Sequence, residues 1–285
     1  MLNYGDNIGI TACSNAIPTL QKSQIEALKE TLYNLHLVPV FSDYIYADTT
    51  VFSGSAADKA AALMDFYKDP DIKAIFDISG GDMANELLDQ LNYDMIKANS
   101  KPFWGYSDLT TIINAIYCMT GNISYLYQLK NLVWENKELQ IERFRNTVFH
   151  NSNDLKDIKW NFVQSKEING IVIGGNIRCF LKLAGTPYMP DFQDKILFLE
   201  SYGGETAQMI TYLNQLKQLG AFTKIKGLLL GTFTKMEECT EAPSITDIVK
   251  YVVNDPLLPI AKTQEVGHGN TSKCLMIGKE YHILK

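Results

Sequence analysis

Ser107, His268 and Glu200 are the residues of this chain whose types and settings could together perform hydrolysis. Ser107 lies in Pro102-Phe-Trp-Gly-Tyr-Ser-Asp-Leu-Thr110, where an apolar strand runs into Gly105, then the serine, then an apolar helix. That is the layout of a nucleophile elbow, a sharp strand-to-helix turn that lifts a hydroxyl above the sheet edge. The helix would aim its first amides at the site and favour developing negative charge, and the Asp108 amide would be one oxyanion donor. A Ser followed by Asp at a helix start is also an ordinary N-cap, and the second glycine of G-x-S-x-G is replaced by Leu109.

The base is chosen from four histidines. His36 closes an apolar helix, His150 lies in a loosely patterned stretch, and His282 alternates within the last strand. His268 sits in Val-Gly-His-Gly-Asn-Thr, on a glycine-flanked loop with no helix or strand of its own to bury it. A loop presented by a scaffold is where a base belongs, although a solvent-facing histidine fits the same pattern. Glu200 ends the apolar strand Lys195-Ile-Leu-Phe-Leu-Glu. A carboxylate there is costly to bury without a partner, and His268 could be that partner. Glu205 opens the next helix, where the helix dipole already accounts for an acid.

A second candidate feature is Ser79-Gly80-Gly81-Asp82, directly after a buried strand. Its glycines would let backbone amides approach a ligand, as an oxyanion or carboxylate nest, at the strand end where open α/β sheets bind ligands. Gly80 and Asp82 are therefore candidate substrate-binding residues. A tight turn needing positive φ is the competing explanation.

The elements that must hold these residues alternate. Strands are expected over 7–13, 38–41, 72–78 and 102–106, and helices over 23–37, 56–67, 86–96 and 108–119. This is βαβ patterning and implies a parallel sheet covered by helices. From 125 to 166 the pattern loosens, with one weak helix over 136–144. After Ile168 come Gly-punctuated strands over 170–173, 195–199 and 226–230, helices over 206–219 and 245–253, and short apolar runs at 274–277 and 281–284. The expected fold is thus α/β, with an N-terminal parallel-sheet domain over 1–125 carrying the nucleophile elbow. A connection over 126–166 leads to a smaller mixed α/β domain over 167–285 carrying the acid and base.

Composition excludes several classes. The chain has 285 residues, 46% hydrophobic, with a net charge of −6 and no run of five like charges. A phosphate-tracking surface needs clustered Lys and Arg, so no nucleic-acid partner is expected. The start has no basic segment leading into an apolar core, and nowhere are 18 apolar residues consecutive. A soluble, cytoplasmic protein without a membrane partner follows as the expectation. Five scattered cysteines (Cys13, Cys118, Cys179, Cys239, Cys274) form no C-x-x-C pair and flank no histidine. Free thiols are expected, with no disulfide, metal or cofactor.

The motifs then show a resemblance. Gly5–Ala16 (GDNIGITACSNA), Ser79–Leu88 (SGGDMANELL), Trp104–Thr110 (WGYSDLT), Gly174–Ile177 (GGNI) with Ala184–Ser201 (AGTPYMPDFQDKILFLES), Leu228–Thr234 (LLLGTFT) and Val266–Asn270 (VGHGN) resemble, in order, segments of the LD-carboxypeptidases. These are serine peptidases that include the microcin C immunity peptidases. The resemblance implies a Ser107–His268–Glu200 triad between two domains, an oxyanion hole from the Gly81 and Asp108 amides, and a homodimer. The implied substrate is a small peptide or peptide-like molecule. In the carboxypeptidase branch, the bond cleaved joins an L-centre to the terminal D-alanine of murein tetrapeptides. Three positions depart from the family pattern: Ser201 replaces an Asp, Ser79 precedes the Gly pair in place of Arg or another polar residue, and Asp82–Asn85 lacks the aromatic-glycine version of the cell-wall enzymes. Two other functions stay open: cleavage of an aminoacyl-nucleotide antibiotic, for which Trp104 or Trp134 could stack on a base, and a non-catalytic ligand-binding α/β protein.

Overall fold

The structure, a computed structural model, describes residues 1–238 and 243–285. Within them twelve strands form two six-stranded sheets. The first sheet contains β1 (Asn7–Thr11), β2 (Val38–Phe41), β3 (Ile72–Asp77), β4 (Phe103–Gly105) and β5 (Ser124–Leu126). The second contains β6 (Asn161–Gln164), β7 (Glu167–Asn176), β8 (Lys195–Ser201), β9 (Gly227–Phe233) and β10 (Ile260–Lys262). Of the last two strands, β11 (Leu275–Ile277) returns to the first sheet and β12 (Glu280–Leu284) joins the second.

In the first sheet the order is β11-β5-β4-β3-β1-β2, all parallel except β11. In the second it is β12-β7-β8-β9-β10-β6, with β7 to β10 parallel and both edge strands antiparallel. The α/β fold with a parallel sheet and a second, mixed sheet is the one expected. The parallel strands read as near-continuous apolar runs because both faces are covered; β8 is buried from Ile196 to Ser201.

Differences from the expected elements have local causes. The helix expected over 86–96 is broken: a 3₁₀ segment, Ala84–Gln90, stops before Asn92, whose side chain caps a new helix, Tyr93–Ala98. The loosely patterned connection contains the helix Lys137–His150, which buries Phe144 and Val148 against the first sheet's core, and β6, which pairs with β10. β7 is ten residues long because it runs on through Gly174-Gly175 to Asn176. Cys13, Cys118, Cys179 and Cys274 are free thiols, while Cys239 lies outside the described residues. No helix among the described residues is long and apolar enough to cross a membrane, and none of their His, Cys, Asp and Glu side chains cluster at metal-binding distances.

The two sheets meet at one place that matters for the site. The helix Thr110–Thr120, which follows Ser107, lies against the end of β7. Asn114 donates to the Gly174 carbonyl at 2.8 Å and accepts from its amide at 2.9 Å. Thr110 Oγ1 accepts from the Asn176 amide at 3.0 Å. A Cβ at Gly175 would stand 2.5 Å from Thr110 Oγ1, so the approach requires glycine there. The strand end bearing Asn176 is therefore tied directly to the helix that leaves the nucleophile.

Candidate active site

Ser107 leaves the C-terminal end of β4 with φ +58°, a left-handed conformation that a non-glycine residue rarely adopts and that costs about 1–3 kcal/mol. Such strain at the junction of a strand and a helix is the geometry of a nucleophile elbow. The substitution at Leu109 also has a structural reason. A Cβ at Gly105 would lie 2.8 Å from the Leu109 Cβ, so the first glycine makes room for a buried leucine in the turn.

The three residues singled out by sequence meet. Glu200 is fully buried at the end of β8 and accepts from His268 Nδ1 at 2.7 Å. His268 Nε2 is 3.1 Å from Ser107 Oγ. With the imidazole proton on Nδ1 facing Glu200, Nε2 is the acceptor for the serine hydroxyl. The loop bearing His268 is clamped: the Thr232 amide donates to the Val266 carbonyl at 3.0 Å, and the Gly267 amide donates to Ser272 Oγ at 3.1 Å. Tyr106 and Tyr202 flank the imidazole with ring centroids at 5.0 and 5.2 Å. Burial pushes the Tyr106 phenol well up, and the neighbouring Glu200 carboxylate adds to this. Tyr106 thus stays neutral beside the acid.

Asp108 follows Ser107 directly in the turn, and Gly81 lines a cavity together with Ser107. The Asp108 side chain is buried and accepts from Ser14 Oγ at 2.7 Å, the Ala84 amide at 2.8 Å and Lys182 Nζ. It thereby fastens the Gly-pair loop to the nucleophile turn. Asp82 is exposed and pairs with Arg178, while its carbonyl accepts from Lys182. Asp77, at the end of β3, accepts from the amides of Cys13 and Ser79 at 2.7 and 2.8 Å, and from the Ser79 hydroxyl. Glu205 caps the helix Thr206–Gln218, its amide donating to Gln208. His282 pairs with Glu167 on the exposed edge of β12.

Sequence reasoning missed Asn176, Lys182 and Tyr202. Asn176 Nδ2 donates to Glu200 Oε1 at 3.0 Å, so both carboxylate oxygens are engaged. Its sequence signals were its place after a glycine pair at a strand end and within the family-like segment Gly174–Ile177, neither of which assigned it a role. Trp104 is excluded as a ligand-stacking residue: it is buried in the core, stacked on Tyr125 at 4.1 Å.

Two cavities adjoin Ser107 and His268. One, about 250 Å³, is lined by Gly80, Tyr106, Lys130, Asn131 and Trp134, among others. The other, about 410 Å³, is lined by Gly81, Asp82, Arg178, Tyr202 and Tyr212, among others.

A strained serine hydrogen-bonded to a histidine that is held by a buried glutamate, between two clefts, defines the class: the chain is an α/β serine hydrolase. Its sequence specifies the family. The N-terminal domain of the LD-carboxypeptidases matches residues 8–127 and their C-terminal domain matches residues 169–283, so the chain belongs to this peptidase family. A putative carboxypeptidase of Treponema pallidum is 28% identical over 97% of this chain and 88% of its own length. A probable murein peptide carboxypeptidase of Bacillus subtilis is 26% identical over 97% of this chain and 88% of its own. The crystal structure of an MccF-like protein from Bacillus anthracis superposes with a TM-score of 0.88, at 28% identity, over 99% of this chain and 94% of that one.

Proposed function

We propose that this enzyme is a serine carboxypeptidase that hydrolyses the L,D-peptide bond before the C-terminal D-alanine of murein tetrapeptides, with Ser107 as nucleophile, His268 as base and Glu200 as the acid orienting it. One observation carries the mechanism: an unbroken hydrogen-bonded chain from Ser107 Oγ through both nitrogens of His268 to a fully buried Glu200. The substrate class rests on the family and on the murein peptide relative.

Ser107 Oγ attacks the scissile carbonyl as His268 Nε2 takes its proton. Glu200 stabilises the imidazolium that forms and keeps its ring in place. Gly81 and Asp108 offer backbone amides to the developing oxyanion; losing one such donor typically costs about 10²–10³ in turnover. The imidazolium then protonates the leaving amine of D-alanine, and water, activated by the same base, hydrolyses the acyl-enzyme. Gly80 and Asp82 border the clefts on either side and take part in substrate binding.

An aminoacyl-nucleotide amide is the second reading, favoured by Trp134 on the wall of the smaller cleft and by the MccF-like neighbour. At about 250 Å³ that cleft is below the roughly 300–1,000 Å³ typical of drug-sized ligands, which favours a single leaving residue instead. The test is mass spectrometry of a murein tetrapeptide incubated with the wild type and with Ser107→Ala. Release of D-alanine by the wild type, slowed by about 10³ or more in the variant, is the expected result. Equal release by both proteins overturns the role of Ser107. No release by either, with turnover of an aminoacyl-sulfamoyl nucleotide, moves the substrate to the second reading.

A further inference from the structure

The smaller cleft contains a charge that the triad does not use. Beyond β5 the chain leaves the sheet at the same edge as Ser107, and the Tyr127 amide donates to the Gly105 carbonyl at 2.9 Å. A 3₁₀ turn, Leu129–Leu132, follows, with the Gln128 side chain accepting from the Lys130 amide. Farther along, Gln140 donates to the carbonyls of Asn270 and Ser272, tying this segment to the His268 loop as well. The segment from Tyr127 to Gln140 that contains this turn is thus tied to both the nucleophile strand and the His268 loop.

Lys130 lines the cleft, is only 9% exposed, and its ammonium makes no hydrogen bond or ion pair among the described residues. Trp134 lies beneath it, 5.6 Å from ring centroid to Nζ. Burial lowers its pKa, opposed by the charge of Asp77, which stays outside ion-pair distance and is occupied by its own donors. Asn131, 1% exposed and also lining the cleft, has neither its amide nitrogen nor its amide oxygen hydrogen-bonded among the described residues. Leaving a buried charge unpaired is costly, so this arrangement points to a ligand that supplies the missing partner of Lys130. The other cleft offers no comparable group, because its Arg178 is already paired with Asp82.

We propose that Lys130 forms the subsite that binds the free carboxylate of the leaving residue. Lys130 contributes the charge, and Asn131, sealed beside it in the cleft wall, holds the turn that presents it. The acyl portion of the substrate then occupies the larger cleft, with the scissile bond over Ser107. This assignment deepens the carboxypeptidase reading and rests on it: it makes Lys130 the group that selects a chain end over an internal bond.

The test uses the full chain and two substrates, the tetrapeptide as free acid and as its C-terminal amide. Wild type is expected to prefer the acid. Lys130→Met, uncharged and of similar length, is expected to lower kcat/KM for the acid by about 10–100-fold, mainly through KM, with little effect on the amide. Lys130→Arg should restore part of the preference. An acid-to-amide ratio unchanged in Lys130→Met overturns the proposal, since a merely structural lysine would affect both substrates alike. A second measurement separates it from the substrate reading. D-Alanine and D-alaninamide are titrated by NMR into Ser107→Ala, with and without Lys130→Met. Selective weakening of D-alanine binding by Lys130→Met supports the subsite even if the wild type hydrolyses neither peptide. Binding that is unchanged by the substitution, or absent in both proteins, overturns it.

Discussion

The nucleophile turn and the histidine loop face each other across 3.1 Å, but they are held by different means. Ser107 is fixed largely by its immediate neighbours: a strand end, Gly105 yielding to Leu109, and a left-handed backbone at the serine itself. His268 has no such local support. Its loop is held by Thr232 on β9, by Ser272, and by the buried carboxylate of Glu200, which depends in turn on Asn176 at the end of β7. One half of the site is a local backbone device and the other is an assembly of distant parts. Damage to the first should therefore stay chemical, while damage to the second should spread into stability and positioning.

The largest effect expected from breaking this comparison is at the base. His268→Ala removes the proposed base and leaves the buried Glu200 without its partner, so kcat is expected to fall by about 10³–10⁶ and the denaturation midpoint to fall with it, measured by steady-state kinetics beside denaturant titration. A loss of less than tenfold would remove His268 from the mechanism.

Gly267→Ala tests the clamp rather than the chemistry. An added Cβ would stand 1.7 Å from Thr232 Oγ1, so the loop must move. Overpacking of this kind costs about 1–3 kcal/mol, and a displacement of the order of 1 Å at a base can cost about 10² in rate. Both a lower denaturation midpoint and a slower kcat are expected. A variant that loses rate without stability would show that the loop is less tightly held than its contacts imply.

Asn176→Ala comes next. It removes one donor from a buried carboxylate, an interaction worth about 1.5–3 kcal/mol, and leaves His268 itself intact. The expected outcome is a kcat about 10–100-fold lower, because Asn176 positions Glu200 from the wall of the larger cleft, with any change in KM the smaller effect. A rise in KM alone would contradict that role.

The same contrast explains what could be read from the sequence. The βαβ alternation of the first half and the strand–Gly–x–Ser–helix order around Ser107 are local patterns, and both appear in the structure. Glu200 stood out because an acid ending an apolar strand demands a partner. Asn176, Tyr202 and Lys130 left no such mark. An asparagine after two glycines reads equally well as a turn, and Lys130 sits in a stretch without periodicity, so only the packing of distant segments reveals that its charge is buried. The return of β11 to the first sheet is likewise a long-range pairing, and three apolar residues carry no information about which sheet they complete.

The smallest expected effect sharpens the comparison within a single turn. Gly80 and Gly81 were indistinguishable as letters, yet their surroundings differ. Gly81 has φ +121° and a Cβ there would lie 2.2 Å from the Asn15 side chain, whereas a Cβ at Gly80 meets nothing within 4 Å. Gly81→Ala should therefore distort the loop that carries the proposed oxyanion amide, losing about 1–3 kcal/mol of stability and about 10²-fold or more in kcat. Gly80→Ala should leave stability within about 0.5 kcal/mol of wild type and kcat unchanged. Because Gly80 borders the smaller cleft, its one expected consequence is a rise of a few-fold in KM for a substrate whose leaving residue enters there. Parallel unfolding curves and kinetics for the two variants distinguish these outcomes. Equal losses in both would mean that the whole turn is held as one unit, and that the backbone at Gly81 is not the special position its φ indicates.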